Sequence, residues 1–210
     1  MCIIISNITI IDYGSGNIRS IYNGFKHIGV KVNVSADKND LKNSDAIILP
    51  GVGAFGAVMD NLSKYEDIIY SHIDEGKPLL GICLGLHMLF SNSEESPEAQ
   101  GLNIFKGTVK RFDLPKGYKI PHMGWNRIRV NDTANNNTSL LSDADNEYMY
   151  FVHSYYIDPE DKDIITAYTD YGGKIPVAIG KDNVFALQFH PEKSGPSGLN
   201  ILQKFVNQIE

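Results

Sequence analysis

Residues 8–11, 45–49 and 79–82 form short runs that are apolar at nearly every position. Runs of this length, bounded by turn residues, read as buried strands. Residues 31–34 add another strand. Between them the apolar period changes. Ile18, Ile21, Tyr22, Phe25 and Ile28 recur at helical spacing, and Gly29 follows where a helix C-terminus favours it. Phe55, Val58, Met59, Leu62 and Tyr65 share one helix face, residues 68–73 continue a helical pattern, and 84–90 begin another helix. Strands separated by helices of this length predict a mostly parallel central sheet with helices on both faces.

The second half reads differently. Residues 118–130 and 148–156 are β-rich, with 109–112 nearby, and 164–168, 176–180 and 184–188 continue as short strands. A last amphipathic helix covers 198–209, with Leu199, Ile201, Leu202, Phe205, Val206 and Ile209 on its apolar side. The polar stretches 91–100 and 131–137 read as surface loops. No internal repeat interrupts the chain. The expectation is one α/β domain over 1–210 with a small antiparallel β layer added late.

Composition narrows the function classes. Apolar residues make up 42% of the 210, enough for a full core. A formal net charge of −6 argues against a general nucleic-acid binder and against charge-driven attachment to an anionic membrane. The N-terminal apolar stretch has no basic flank and is broken by Ser6, Asn7 and Asp12, so neither a signal peptide nor a membrane span is expected. The expected location is cytoplasmic. Two cysteines, Cys2 and Cys83, make no disulfide framework, and no histidine stands at ligand spacing for a metal. Cys2 reads as a near-terminal thiol without a role. Gly14-Ser15-Gly16 lacks the third glycine of a dinucleotide fingerprint, and no phosphate-loop lysine follows a glycine-rich turn. No cofactor is expected.

Cys83 is the candidate nucleophile. It sits in Gly81-Ile82-Cys83-Leu84-Gly85, at the corner between a predicted strand and a predicted helix. Such a corner resembles a nucleophile elbow, where small neighbours keep a strained backbone uncrowded. The helix start aims amides at the sulfur, and the Leu84 amide could donate to a developing oxyanion. Of the six histidines, His27 and His72 lie on charged helices and read as solvent-exposed. His190 is the best base, because it leaves the end of a strand as Cys83 does. Pro191 fixes the chain direction, and Glu192, two residues on, can hold the imidazole and stabilise its cation.

Gly81-Ile82-Cys83-Leu84-Gly85 followed by Gln188-Phe189-His190-Pro191-Glu192-Lys193-Ser194 resembles the class I glutamine amidotransferases over the whole chain. Four further segments are similar to the glutaminase subunits of imidazole glycerol phosphate synthases: Ile11–Asn17 as IDYGSGN, Leu49–Phe55 as LPGVGAF, Pro121–Asn126 as PHMGWN, and Phe151–Tyr156 as FVHSYY. The resemblance implies a flavodoxin-like sheet, and a Cys83-His190-Glu192 triad that hydrolyses L-glutamine through a cysteine thioester. It implies an oxyanion loop of Gly51, Val52 and Gly53 beside the Leu84 amide, with Ser154 and Tyr155 holding the substrate's α-groups. It also implies a (β/α)₈-barrel synthase subunit that receives the ammonia in histidine biosynthesis and makes imidazole glycerol phosphate and AICAR. The family usually carries glutamine four residues after the cysteine, in contact with substrate; this chain has His87. Asn17 and Trp125, near the mouth of the site, are the candidate interface residues.

Three other readings compete. A paralogue feeding ammonia to a sugar-amidating partner in surface-glycan synthesis would share the triad, and His87 and Ser15 are compatible with it. A glutaminase of another pathway fits PHMGWN and FVHSYY poorly. A non-catalytic protein on the same fold would have lost Cys83, His190 or Glu192, and all three are present.

Overall fold

The apolar runs of the first half assemble side by side. In the computed structural model, which describes residues 7–14, 16–131 and 137–209, the first ten elements are β1 (Ile8–Ile11), α1 (Ile18–His27), β2 (Val32–Ser35), α2 (Lys38–Lys42), β3 (Ala46–Leu49), α3 (Phe55–Leu62), α4 (Glu66–Asp74), β4 (Leu79–Ile82), α5 (Leu84–Met88) and β5 (Phe90–Ser93). The remainder are β6 (Phe105–Arg111), β7 (His122–Val130), β8 (Tyr148–His153), β9 (Tyr155–Pro159), β10 (Ile165–Asp170), β11 (Lys174–Lys181), β12 (Val184–Leu187) and α6 (Gly195–Val206). Cys2 and Ser15 lie outside the described residues, as does most of the 131–137 stretch.

Nine strands form the main sheet in the order β2-β1-β3-β4-β12-β11-β10-β7-β8. The first five pair in parallel, as expected. From β12 outward the pairing is antiparallel. A second sheet of β5, β6 and β9 stands apart. The late β layer is therefore two things, an antiparallel extension of the main sheet and a separate three-stranded sheet that is mixed, with β5 parallel and β9 antiparallel to β6. β1, β3, β4 and β12 are buried at every position, in keeping with a sequence that is apolar at nearly every position.

Local differences from the sequence reading have physical causes. The helix after Cys83 stops at Met88, and Phe90 starts a strand that pairs with β6, so the polar 91–100 stretch begins as sheet. The β-rich 148–156 stretch is cut at Ser154, where the chain leaves the main sheet (β8) for the small one (β9). His72 is buried rather than exposed, with Nε2 at 3.1 Å from the Pro78 carbonyl; His27 is exposed as expected. Among the described residues, no helix is long and apolar enough to cross a membrane.

The end of β3 and the start of α5 come so close that only glycine fits between them. A Cβ at Gly85 would stand 2.1 Å from the Leu49 carbonyl oxygen, and one at Gly51 would stand 2.5 Å from Leu84 Cβ. Backbone cannot move aside as a side chain can. Gly85→Ala is expected to destabilise the fold by about 2–3 kcal/mol and lower the melting temperature by about 5–10 °C, read by thermal unfolding. An unchanged melting temperature would show that β3 and α5 can separate at little cost.

Candidate active site

Cys83 begins where β4 ends, at φ 57° and ψ −106°, a conformation that L side chains rarely adopt. Such a backbone costs about 1–3 kcal/mol and persists only where its surroundings impose it. Here the Cys83 amide donates to the Leu187 carbonyl at 2.7 Å, and the Leu86 amide donates to the Cys83 carbonyl at 3.0 Å. The corner is thus held by β12 on one side and by α5 on the other.

β12 leads directly into His190. The His190 amide donates to the Tyr150 carbonyl on β8 at 2.9 Å, and its carbonyl accepts from Ser194 Oγ at 2.6 Å. Its Nδ1 lies 2.9 Å from Glu192 Oε1, with both side chains buried. Asn17 Nδ2 donates to the same Glu192 oxygen at 3.2 Å. Gly24 makes room for this pair, since a Cβ there would stand 2.9 Å from Glu192 Cβ. His190 Nε2 makes no hydrogen bond of ordinary geometry among the described residues, nor does Glu192 Oε2. Burial alone would lower the pKa of His190. The nearby Cys83 sulfur and the Glu192 carboxylate outweigh burial and hold it up at about 9. The structure therefore brings Cys83, His190 and Glu192 together from two segments, and favours a charged imidazole between sulfur and carboxylate.

A cavity of about 350 Å³ opens over Cys83. Val52, Gly53, Leu84, His87, Ser154 and Tyr155 line it, together with Glu95, Pro121, Val152 and His153. Gly51 sits behind the lining, against Leu84 and Gly85. Glu95 was hidden in a stretch read as a loop; its Oε2 accepts from the Phe55 amide at 3.0 Å, and nothing local in the sequence marks it. His153 belongs to a buried chain, with Nδ1 at 2.8 Å from the Tyr155 carbonyl and Nε2 at 3.0 Å from His122 Nδ1. Burial pushes the pKa of His122 to about 4 and that of His153 to about 3, so both are neutral at pH 7. Tyr13 reaches across to the oxyanion-loop candidate, its hydroxyl donating to the Pro50 carbonyl. Burial first, then Cys83 and Asp12, raise the Tyr13 pKa far above the usual phenol, so this hydroxyl keeps its proton.

The two interface candidates part company. Trp125 is 55% exposed beside Met123 at 63%, both on β7. Asn17 is turned inward to Glu192, so its carboxamide is committed to the triad.

The model of the family "Glutamine amidotransferase class-I" matches residues 9–209. Imidazole glycerol phosphate synthase subunit HisH of Methanothermobacter thermautotrophicus is 50% identical, over 96% of this chain and 98% of that protein. The chloroplastic imidazole glycerol phosphate synthase hisHF of Arabidopsis thaliana is 42% identical over 96% of this chain, which spans 34% of that longer protein. A crystal structure of a glutamine amidotransferase has the same fold, with a TM-score of 0.75 at 18% identity, over 96% of this chain and 98% of that one. The chain belongs to the class I glutamine amidotransferase family, among the HisH subunits of imidazole glycerol phosphate synthase.

Proposed function

We propose that this chain hydrolyses L-glutamine to glutamate and ammonia at Cys83, and passes the ammonia to a (β/α)₈-barrel cyclase subunit in histidine biosynthesis. One observation carries the reading: a cysteine on a strained strand-to-helix corner opens into a cavity, with a histidine held cationic beside it and a buried carboxylate behind.

The chemistry follows from those groups. Cys83 Sγ attacks the side-chain amide carbon of glutamine, and the carbonyl electrons move onto oxygen. The Leu84 amide and the loop of Gly51, Val52 and Gly53 receive that oxyanion. His190 gives its proton to the departing nitrogen, so ammonia leaves and a γ-glutamyl thioester forms. The neutral imidazole then takes a proton from water, which attacks the thioester and releases glutamate and the thiolate. Glu192 holds the imidazole through Nδ1 in both halves. Glu95, Ser154 and Tyr155 line the cavity where the α-ammonium and α-carboxylate must lie. Glu95 brings the negative charge that an ammonium requires.

Ammonia protonates and escapes in water, so a glutaminase of this kind works docked on its acceptor. The exposed Trp125 and Met123 edge of β7 is the surface assigned to that partner. The protein is read as a cytoplasmic subunit, in keeping with its likeness to subunits of a biosynthetic synthase.

The test is glutamate release from glutamine with and without the barrel subunit from the same cell and its nucleotide substrate. A rise on the order of tenfold or more is expected. Trp125→Ala is expected to weaken association by about 2 kcal/mol, roughly thirtyfold. No stimulation, with Cys83 still reactive toward a glutamine-analogue electrophile, would point to a different acceptor.

A further inference from the structure

Gln188 is a buried residue that the triad does not use. It stands between Leu187, whose carbonyl holds the Cys83 amide, and the Phe189-His190 segment. Its own amide donates to the Val177 carbonyl at 2.8 Å, so its backbone is fixed to β11. Its side chain spans two groups of the site. Nε2 lies 3.9 Å from Cys83 Sγ, within reach for a large sulfur acceptor, and Oε1 lies 2.7 Å from His87 Nε2.

We propose that the Gln188 carboxamide donates to the Cys83 sulfur in its nucleophilic form, and that His87 is the positioning residue that fixes the orientation of that carboxamide. The assignment rests on the glutaminase reading only for its consequence in turnover.

The donor and acceptor inventory leaves one arrangement. The Val152 carbonyl, at 4.0 Å, offers the resting thiol an acceptor. The attacking thiolate accepts and never donates, so the amide end of Gln188 must face the sulfur. That leaves Oε1 toward His87, and a bond of 2.7 Å requires a proton on His87 Nε2. His87 is buried, and burial takes its pKa down to about 4 against the opposing pull of Gln188. At neutral pH the ring therefore carries a single proton, and this bond takes it. Nδ1 is left as an acceptor. The sulfur thus meets a donor on the Gln188 side in addition to the imidazolium of His190. Without the His87 proton, the carboxamide could turn over and present its oxygen to the sulfur, which would repel a thiolate.

The dyad also accounts for His87 where the family usually has glutamine. Both side chains can donate one proton to Gln188 Oε1. Histidine supplies that donor in a single tautomer.

The experiment measures iodoacetamide alkylation of the full chain in a Cys2→Ser background, followed by intact mass from pH 5 to 10. Gln188→Leu is expected to slow alkylation at pH 7 about tenfold and move its pH profile upward. His87→Leu should do the same to a smaller degree, and His87→Gln should restore the rate relative to His87→Leu. In glutamine turnover Gln188→Leu should lower kcat with little change in KM. Alkylation of Gln188→Leu at the parent rate, with the parent pH profile, would overturn the proposal. If Gln188→Leu does not fold, by circular dichroism, the two His87 variants decide: equal alkylation overturns the dyad, and faster alkylation of His87→Gln supports it. Gln188-dependent alkylation in a protein that hydrolyses no glutamine would instead overturn the glutaminase reading and leave the dyad standing.

Discussion

Replacing Cys83 with alanine is expected to abolish glutamine hydrolysis while leaving the protein folded. The acyl intermediate forms on the Cys83 sulfur, so the loss should be on the order of 10⁴–10⁶ in kcat. Circular dichroism and thermal unfolding provide the control. Alanine keeps the positive φ of 57° and its strain, so the melting temperature should move little. Glycine at the same place removes the strain as well. Cys83→Gly should therefore be equally inactive, yet more stable than Cys83→Ala by about 1 kcal/mol, the lower end of what such a backbone costs. That pairing separates the sulfur's chemistry from the corner's geometry. Turnover by Cys83→Ala near the parent rate would remove Cys83 from the reaction.

The corner was legible because it combines two local signals. An apolar run carrying Gly81 ends at the cysteine, and a helical pattern begins one residue after it. Gly81 and Gly85 are there for close approach: a Cβ at Gly81 would stand 2.8 Å from the Gly85 carbonyl oxygen. His190 and Glu192 were legible for a similar reason, since a buried strand delivers both to one sheet end. The partners that hold them were not. Asn17 reaches Glu192 across 175 residues of sequence, and Tyr13 reaches Pro50 across 37. No periodicity encodes such contacts. From sequence Asn17 is an exposed loop residue near the mouth of the site; in the structure it makes no cap hydrogen bond and turns to the carboxylate.

The strands were found and their sheets were not. Residues 148–156 have a continuous β pattern, yet Ser154 divides it between two sheets. Propensity is equal on both sides of the break, because each half is covered by a different layer. Tyr148–His153 pairs with β7, and Tyr155–Pro159 pairs with β6. The crossing between sheets places Ser154 and Tyr155 at the cavity, where a straight strand would have carried them past it. His72 shows the opposite limit. Its helix is charged, yet its imidazole turns inward to the Pro78 carbonyl, which also accepts from the Ile47 amide, and is buried there.

His190→Asn is expected to remove both proton transfers and reduce glutamine turnover on the order of 10⁴ or more. Asparagine has no titrating group, so no change of pH should restore the activity. The same variant tests the electrostatics. Burial opposes the charged imidazole, yet Cys83 and Glu192 hold it at about 9, above the ordinary value of 6.5. The folded protein therefore binds this proton more tightly than the unfolded chain does. Its contribution to stability is complete below about pH 6.5 and is lost as pH rises through about 9. Chemical denaturation between pH 6 and 10 should show the parent protein weakening across that window. His190→Asn should lack that part of the slope, and Cys83→Ala should lose much of it, since the sulfur is one of the two groups that raise the imidazole. A parent curve flat from pH 6.5 to 9 would show that His190 is neutral in the resting enzyme. In that case Cys83 would have to lose its proton to the imidazole on attack.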